Sequence, residues 1–230
     1  MKLKELLKNK LTKKELFLVP SSFDIVGSIL VFLDFPKELV KKEKIIANTL
    51  LDEHKHIKTV AKKSKIYSGK FRTPKIKIIA GEKTKETIHK ENDVNIKLNI
   101  ENCYFSPRLG NERLRISKLI KSNEFVLVLF SGVGAYPLTI SKNSKAKEIY
   151  AIELNKDAHN YAKENLKLNK INNIILIKGD VKKQILKLKK KFDRILMPLP
   201  KNAEDFLDLT LKVSRKNTII HFYDFQYKDE

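Results

Sequence analysis

Apolar positions recur along this chain with two different periods, and the change from one to the other divides it into two parts. In the first hundred residues, Lys65–Tyr67, Lys75–Ala80, Glu86–Lys90 and Asn95–Ile100 alternate in the period-two manner of half-buried strands, with Gly69 and Gly81 at turns. Ahead of them, Ile25–Phe32 reads as an apolar strand or buried run, and residues 37–51 have helical spacing, with Leu39, Ile45, Ile46, Leu50 and Leu51 on one side. This predicts a small α+β domain over residues 1–100, built on a small antiparallel sheet. Past Asn99–Ser106, a natural hinge, short apolar runs appear at Phe125–Phe130, Ile149–Ile152 and Ile174–Ile177, with further strands at Phe192–Met197 and, at the edge, Thr218–Phe222. Such runs are strands buried on both faces. Between the second and third, Asn155 is placed to cap a helix whose apolar residues are Ala158, Tyr161, Ala162, Leu166 and Leu168. Strands alternating with helices predict a doubly wound α/β sheet over residues 101–230.

The order of the second part carries a chemical signal. Strand Phe125–Phe130 ends in Ser131-Gly-Val-Gly134, and the next strand, Ile149–Ile152, ends in Glu153. Paired glycines let backbone approach a ligand closely, and an acid ending the following strand can accept hydrogen bonds from both hydroxyls of a ribose. Gly179-Asp180 closes the third strand, so Ser131, Glu153 and Asp180 are predicted to line one crevice holding an adenosine-containing cofactor, with Asp180 accepting from the adenine amino group. The fourth strand runs into Pro198-Leu-Pro200, either a simple strand terminator or a stiff loop beside the reacting base.

Charge modifies this picture only slightly. Lys and Arg total 48 against 27 Asp and Glu, a net of +21, which suits a polyanionic partner. The excess is spread almost evenly, +11 in residues 1–100 and +10 in the rest, and only six of the basic residues are Arg. Arg108, Arg113 and Arg115 weigh more than the lysines, because a guanidinium fork matches phosphate and guanine edges. One Cys excludes an intramolecular disulfide framework and a zinc cluster, no metal is expected, and a cytoplasmic location fits. Residues 1–17 alternate Lys with Leu, lack a signal-peptide core and read as a surface helix or frayed leader. No run approaches the roughly 20 apolar residues of a membrane span. His89 and His221 are expected to be structural, and His54, His56 and His159 to lie on the surface.

Several motifs in order resemble the archaeal and eukaryotic tRNA (guanine-N1)-methyltransferase family. They are Phe105-Ser-Pro-Arg-Leu109 with Glu112-Arg113, the Phe-Ser-Gly-Val-Gly134 turn, Ala151-Ile-Glu-Leu-Asn155, Glu164-Asn-Leu-Lys-Leu-Asn169, Met197-Pro-Leu-Pro-Lys201 and Ile220-His-Phe-Tyr223. Upstream, Phe23-Asp-Ile-Val-Gly27, Ser68-Gly-Lys-Phe-Arg72 and Ala80–Glu91 match the family's smaller domain. The likeness runs from about Pro20 to Phe225. It implies a Rossmann-like class I methyltransferase fold, S-adenosylmethionine as cofactor and tRNA as partner. It also implies methyl transfer to the guanosine immediately 3′ of the anticodon. The cofactor set is then Phe130, Ser131, Gly132, Val133 and Gly134, Glu153 with Leu154 and Asn155, Asp180 with Val181, and Pro198. Arg108 is expected to hold the guanine carbonyl oxygen, Glu112 to be either the proton acceptor or an ion-pair partner, and Arg113, Arg115, Pro198, Leu199 and Pro200 to contact substrate.

This chain departs from the family pattern in places. Val128 stands where an acid is usual, which implies weaker cofactor binding, and Pro198 where many members have Asn. The chain ends soon after the fifth strand, where the family's sheet gains two more, so an exposed edge is expected at Thr218–Phe222. The additional amino-terminal tRNA-binding domain of many members is not seen. Two other readings stay open. One is the related wybutosine-pathway aminocarboxypropyl transferase, whose members tend to carry Gly-Asn where Arg108-Leu109 stands. The other is a non-catalytic RNA-binding protein.

Overall fold

The computed structural model describes residues 3–68, 73–198 and 203–223, without the side chains of 65–68. Residues 69–72 of the Ser68–Arg72 motif, together with Leu199, Pro200 and Lys201, lie outside the described residues. Two compact units emerge, one of residues 1–89 with 98–107, the other of 90–97 with 108–230.

The first unit opens with helices α1 (Leu3–Leu6) and α2 (Lys13–Leu18). This segment is neither frayed nor merely superficial. Leu7 and Leu11 enter the core beside Leu30, Phe32, Ile46 and Leu50, and α2 starts with a capping box in which Thr12 and Glu15 satisfy each other's backbone amides. The predicted run at 25–32 is a hairpin, β1 (Phe23–Val26) and β2 (Ile29–Phe32), bent at Gly27. Gly27 has φ of 55°, and a Cβ there would collide with Thr87 Oγ1 and the Ile88 carbonyl. Only glycine lets the next segment dock on this turn, where Gly27 N donates to His89 Nδ1 and Ser28 N to Thr87 Oγ1. A 3₁₀ turn (Lys37–Lys42) leads into α3 (Glu43–Glu53), which buries Ile46, Ala47 and Leu50 but leaves Ile45 exposed.

Strands β3 (Thr59–Ser68) and β4 (Thr73–Gly81) complete a four-stranded sheet ordered β1-β2-β3-β4. It is mixed: β2 runs parallel to β3, while β1/β2 and β3/β4 are antiparallel. The expected antiparallel sheet of residues 65–100 is corrected here, because β5 (Glu86–Glu91) and β6 (Val94–Asn99) form their own two-stranded sheet. Asn92 and Asp93 between them have φ of 45° and 61°, the two left-handed positions of a tight hairpin turn. The tip of this hairpin clusters with the second unit and its base with the first.

In the second unit, α4 (Gly110–Lys118) precedes five parallel strands. These are β7 (Phe125–Leu129), β8 (Glu148–Glu153), β9 (Ile174–Lys178), β10 (Phe192–Met197) and β11 (Ser214–Phe222), within one or two residues of the predicted runs except that β11 starts four residues earlier. Helices α5 (Ala135–Asn143), α6 (Lys156–Leu168), α7 (Val181–Gln184) and α8 (Leu207–Leu211) connect them. Lateral order is β9-β8-β7-β10-β11, so the winding reverses between β7 and β10. Ligands bind outside the carboxyl ends of strands at such a reversal. Residues 126–129 of β7 are fully buried, Val128 among them, as expected for a central strand covered on both faces.

Candidate active site

The bend that follows β7 is held in an unusual backbone shape. Phe130, Gly132 and Gly134 all have positive φ, at 54°, 57° and 87°. For Phe130 this costs of order 1 kcal/mol, offset by its ring packing edge-on to Phe206 at 4.9 Å. Hydrogen bonds from the neighbouring strand fix the bend: Ser131 N donates to the Ile152 carbonyl at 3.0 Å, and Gly132 N to Glu153 Oε2 at 2.7 Å. Glu153 also accepts from Asn155 N at 2.6 Å through its other oxygen. Both carboxylate oxygens therefore accept from backbone amides. Burial pushes the Glu153 carboxyl above its ordinary range, and the amides of Asn155, Gly132 and Leu154 only partly oppose this.

A second acid, Asp180, joins the same edge. Gly179 N donates to the Glu153 carbonyl at 2.8 Å, and Gly179, with φ of 143°, turns Asp180 over the end of β9. Asp180 caps α7 by accepting from Lys182 N through Oδ1. Val181 and Val133 are buried wall residues, and Leu154 is half-buried. Asn155 caps α6 with its side chain, as its sequence position suggested, so its side-chain oxygen is engaged at home. Ser131 Oγ is buried without a hydrogen-bond partner among the described residues. A stranded hydroxyl costs stability until something donates to it or accepts from it. Pro198 is half-buried at the end of β10.

The predicted substrate residues separate into different environments. Arg108 is exposed on a 3₁₀ turn, Pro107–Leu109, that leads into α4. Arg113 is 2 % exposed and forks onto Glu91, Nε to Oε1 at 2.5 Å and Nη2 to Oε2 at 2.7 Å, with its guanidinium 5.9 Å from the centre of the Tyr136 ring. Its fork is thus turned to a partner on β5. Arg115 is exposed and forks onto Glu112 at 2.6 and 2.8 Å. Tyr223 Oη donates to the same Glu112 carboxylate at 2.7 Å and accepts from Tyr136 Oη at 3.4 Å. These donors, Arg115 foremost, hold the Glu112 carboxyl below its usual range.

Three features escaped the sequence reading. The buried face of α6 is Ala158, His159, Ala162 and Asn165, while Leu168 is 42 % exposed. Asn165 and Asn169 act as side-chain rungs for β6: Asn165 exchanges bonds with the Lys97 amide and carbonyl and donates to the Val133 carbonyl, and Asn169 does the same with Asn95. Amide side chains at i and i+4, in line with Ala158 and Ala162, were the available signal. Second, Arg194 is buried in β10, forked onto Glu124 and bonded to the Leu119 carbonyl and His221 Nε2. Since Arg only donates, His221 must accept, and burial with Arg194 beside it keeps the ring below its ordinary pKa. Third, His159 is not on the surface: it is 3 % exposed, its Nδ1 has no hydrogen-bond partner among the described residues, and burial lowers its pKa. Among the described residues no His, Cys, Asp and Glu cluster could hold a metal ion, and no helix is long and apolar enough to cross a membrane.

Comparison with known proteins places this geometry. Residues 87–230 match the TRM5/TYW2 methyltransferase domain and residues 3–84 the TYW2 N-terminal domain. Trm5b of Pyrococcus abyssi, a tRNA (guanine(37)-N(1))-methyltransferase, is 39% identical over 90% of this chain and 61% of its own length. Taw22 of Nanoarchaeum equitans, a tRNA (guanine(37)-N(1))/4-demethylwyosine(37)-methyltransferase, is 33% identical over 91% of this chain and 85% of its own. The solved complex of aTrm5 and tRNALeu superposes with a TM-score of 0.84 at 32% identity, covering 97% of this chain and 66% of that one. The chain therefore spans about six tenths of the length of the Pyrococcus relative.

Proposed function

The chain belongs to the TRM5/TYW2 methyltransferase family, and from that premise we propose that it is a tRNA methyltransferase. It transfers a methyl group from S-adenosylmethionine to N1 of the guanosine immediately 3′ of the anticodon. The observation that carries the reading is the joint between Gly132 and Glu153, where the strained bend and the strand-end acid are locked at 2.7 Å beside the point at which the sheet's winding reverses. The donor set suits an adenosine: Glu153 for the two ribose hydroxyls, the Oδ2 of Asp180 for the adenine amino group, and the stranded Ser131 hydroxyl for a polar atom of the ligand. When bound, S-adenosylmethionine supplies an electrophilic methyl carbon on a sulfonium, which asks of the protein alignment and proton removal rather than a metal.

Arg108, exposed ahead of α4, reaches the guanine O6 and stabilises the negative charge that grows there as N1 loses its proton. Glu112 is the carboxylate that accepts that proton, a contribution of about 10²–10⁴-fold for a well-placed base. Pro198 and the residues after it bound the base. A cytoplasmic location belongs to this reading.

The test is direct. Incubation with methyl-labelled S-adenosylmethionine and unmodified tRNA transcripts, followed by nucleoside digestion, should place label in N1-methylguanosine when the residue after the anticodon is G and nowhere when it is A. Label absent from that nucleoside would defeat the proposal. One observation favours a second reading: residues 3–84 match a domain named for TYW2, the relative that moves an aminocarboxypropyl group. Arg108-Leu109 argues for methyl transfer, and the mass added to the nucleoside separates the two.

A further inference from the structure

Glu112 is unusually well restrained for a residue that has to take a proton. Its carboxylate receives both arms of the Arg115 fork, at 2.6 and 2.8 Å, and the Tyr223 hydroxyl at 2.7 Å. Behind Tyr223 stands Tyr136, whose hydroxyl donates to it and whose backbone lies two residues past Gly134 of the cofactor bend. The restraint is asymmetric. Tyr136 is buried at 6 % exposure, Tyr223 is anchored between two partners, and the Glu112 side chain is 24 % exposed, but the Arg115 side chain is 59 % exposed. Among the described donors to Glu112, Arg115 is thus the one that can leave without opening the fold. A guanidinium fork accepts phosphate in the same bidentate way as carboxylate.

Resting on the proposed methyl transfer, we infer that Arg115 is an RNA-operated latch on Glu112: a backbone phosphate of bound RNA captures its fork and frees Glu112 to act as base, while Tyr223 stays behind to hold the carboxylate in place. The step licensed is a proton transfer in which the guanine N1–H bond breaks, the proton goes to a Glu112 oxygen, and the electron pair stays on N1; methyl transfer would then form the N1–C bond as the C–S bond breaks and its pair goes to the sulfonium sulfur. In the free protein the latch is closed and Glu112 is a poor acceptor, in keeping with its lowered pKa. The groups facing Glu112 are Arg115 on its own helix, Tyr223 and His221 from the end of β11, and Tyr136 of α5 by way of Tyr223. Burial, and then the neighbouring Arg194, lower the His221 pKa, and the fork that latch opening moves is that of Arg115. Arg115 is then a positioning residue acting through Glu112, and so is Tyr223.

Two measurements on the whole chain test this without relying on turnover. First, binding of an unmodified tRNA transcript is followed as a function of salt for the wild type and for Arg115→Gln. The slope of log K against log[salt] should fall by about one in the variant, the signature of one lost phosphate contact. Second, the Glu112 carboxyl is titrated by carbon-13 NMR with and without the transcript, assigned with Glu112→Gln. RNA should raise the wild-type midpoint, and Arg115→Gln should raise it already in the free protein and respond less to RNA. An unchanged salt slope, or a wild-type midpoint that RNA does not move, overturns the latch. Tyr223→Phe should leave the salt slope intact while lowering the single-turnover rate at saturating RNA; an unaltered rate removes Tyr223 from the role. A wild type that binds RNA with the predicted slope yet methylates nothing refutes the proposed function and not the latch.

Discussion

Replacing Glu153 by alanine tests the cofactor pocket at its most connected point. The carboxylate accepts the Gly132 and Asn155 amides at 2.7 and 2.6 Å and is largely buried, so nothing solvent-borne substitutes for it easily. The same carboxylate is the group assigned to the ribose hydroxyls. Losing charge-assisted bonds of this kind costs about 1–3 kcal/mol of binding, or roughly 5- to 150-fold in the dissociation constant. Calorimetric titration with S-adenosylmethionine measures it. The same geometry fixes a pH dependence. Burial raises the carboxyl pKa in the free protein, and hydroxyl donors favour the ionised form, so binding lowers that pKa and releases a proton. Affinity should therefore weaken as pH falls through the free-protein pKa and strengthen as it rises, and Glu153→Ala should flatten that part of the profile. A variant that keeps wild-type affinity, circular dichroism and pH profile would show that the pocket has been misplaced.

Other outcomes follow from the same contacts. Arg108→Ala should lower the methyl-transfer rate about 10²-fold or more while changing S-adenosylmethionine affinity little, because Arg108 lies outside the cofactor bend; equal losses in both would reject its role at the guanine oxygen. Arg113→Met and Glu91→Leu should each destabilise by about 3–5 kcal/mol in urea unfolding, since each removes one side of a buried bidentate ion pair, and the double variant should recover most of it. Singles that cost under about 1 kcal/mol would mean the pair is solvated. Asn165→Ala strands the Lys97 amide and carbonyl and the Val133 carbonyl, and should cost about 2–4 kcal/mol together with faster amide exchange in β6; native exchange there would contradict the rung assignment.

Periodicity made the second unit readable. Strands β7 to β9 fall within one or two residues of runs visible as apolar stretches, because a parallel strand buried on both faces is mostly apolar, and β10 matches its expected run although it carries Asp193 and the buried, paired Arg194. The edge strand β11 is readable only over its last five residues, and Ile219 and Phe222 are substantially exposed there. The alternation located β4 to β6 and only the end of β3, which begins at Thr59 rather than Lys65, and it did not give their partners. Pairing depends on which edges meet, and the parallel β2/β3 contact joins segments separated by α3.

For the site, local chemistry was enough where a single turn does the work. Gly132, Gly134, the Asn155 cap and the strand-end acids could be named from spacing alone, because positive φ and capping are demands that few residue types meet. Arginine roles were not legible in this way. Arg108, Arg113 and Arg115 lie within eight residues, yet one is exposed, one is buried on Glu91 twenty-two positions away, and one is clamped to Glu112. Tyr223 reaches Glu112 across 111 positions. Sequence alone determined which strands and turns form, since burial and backbone conformation are settled within a few residues. Only the tertiary structure decided where each long charged side chain found its partner, because a guanidinium or hydroxyl satisfies whichever acceptor the packed fold brings within about 3 Å.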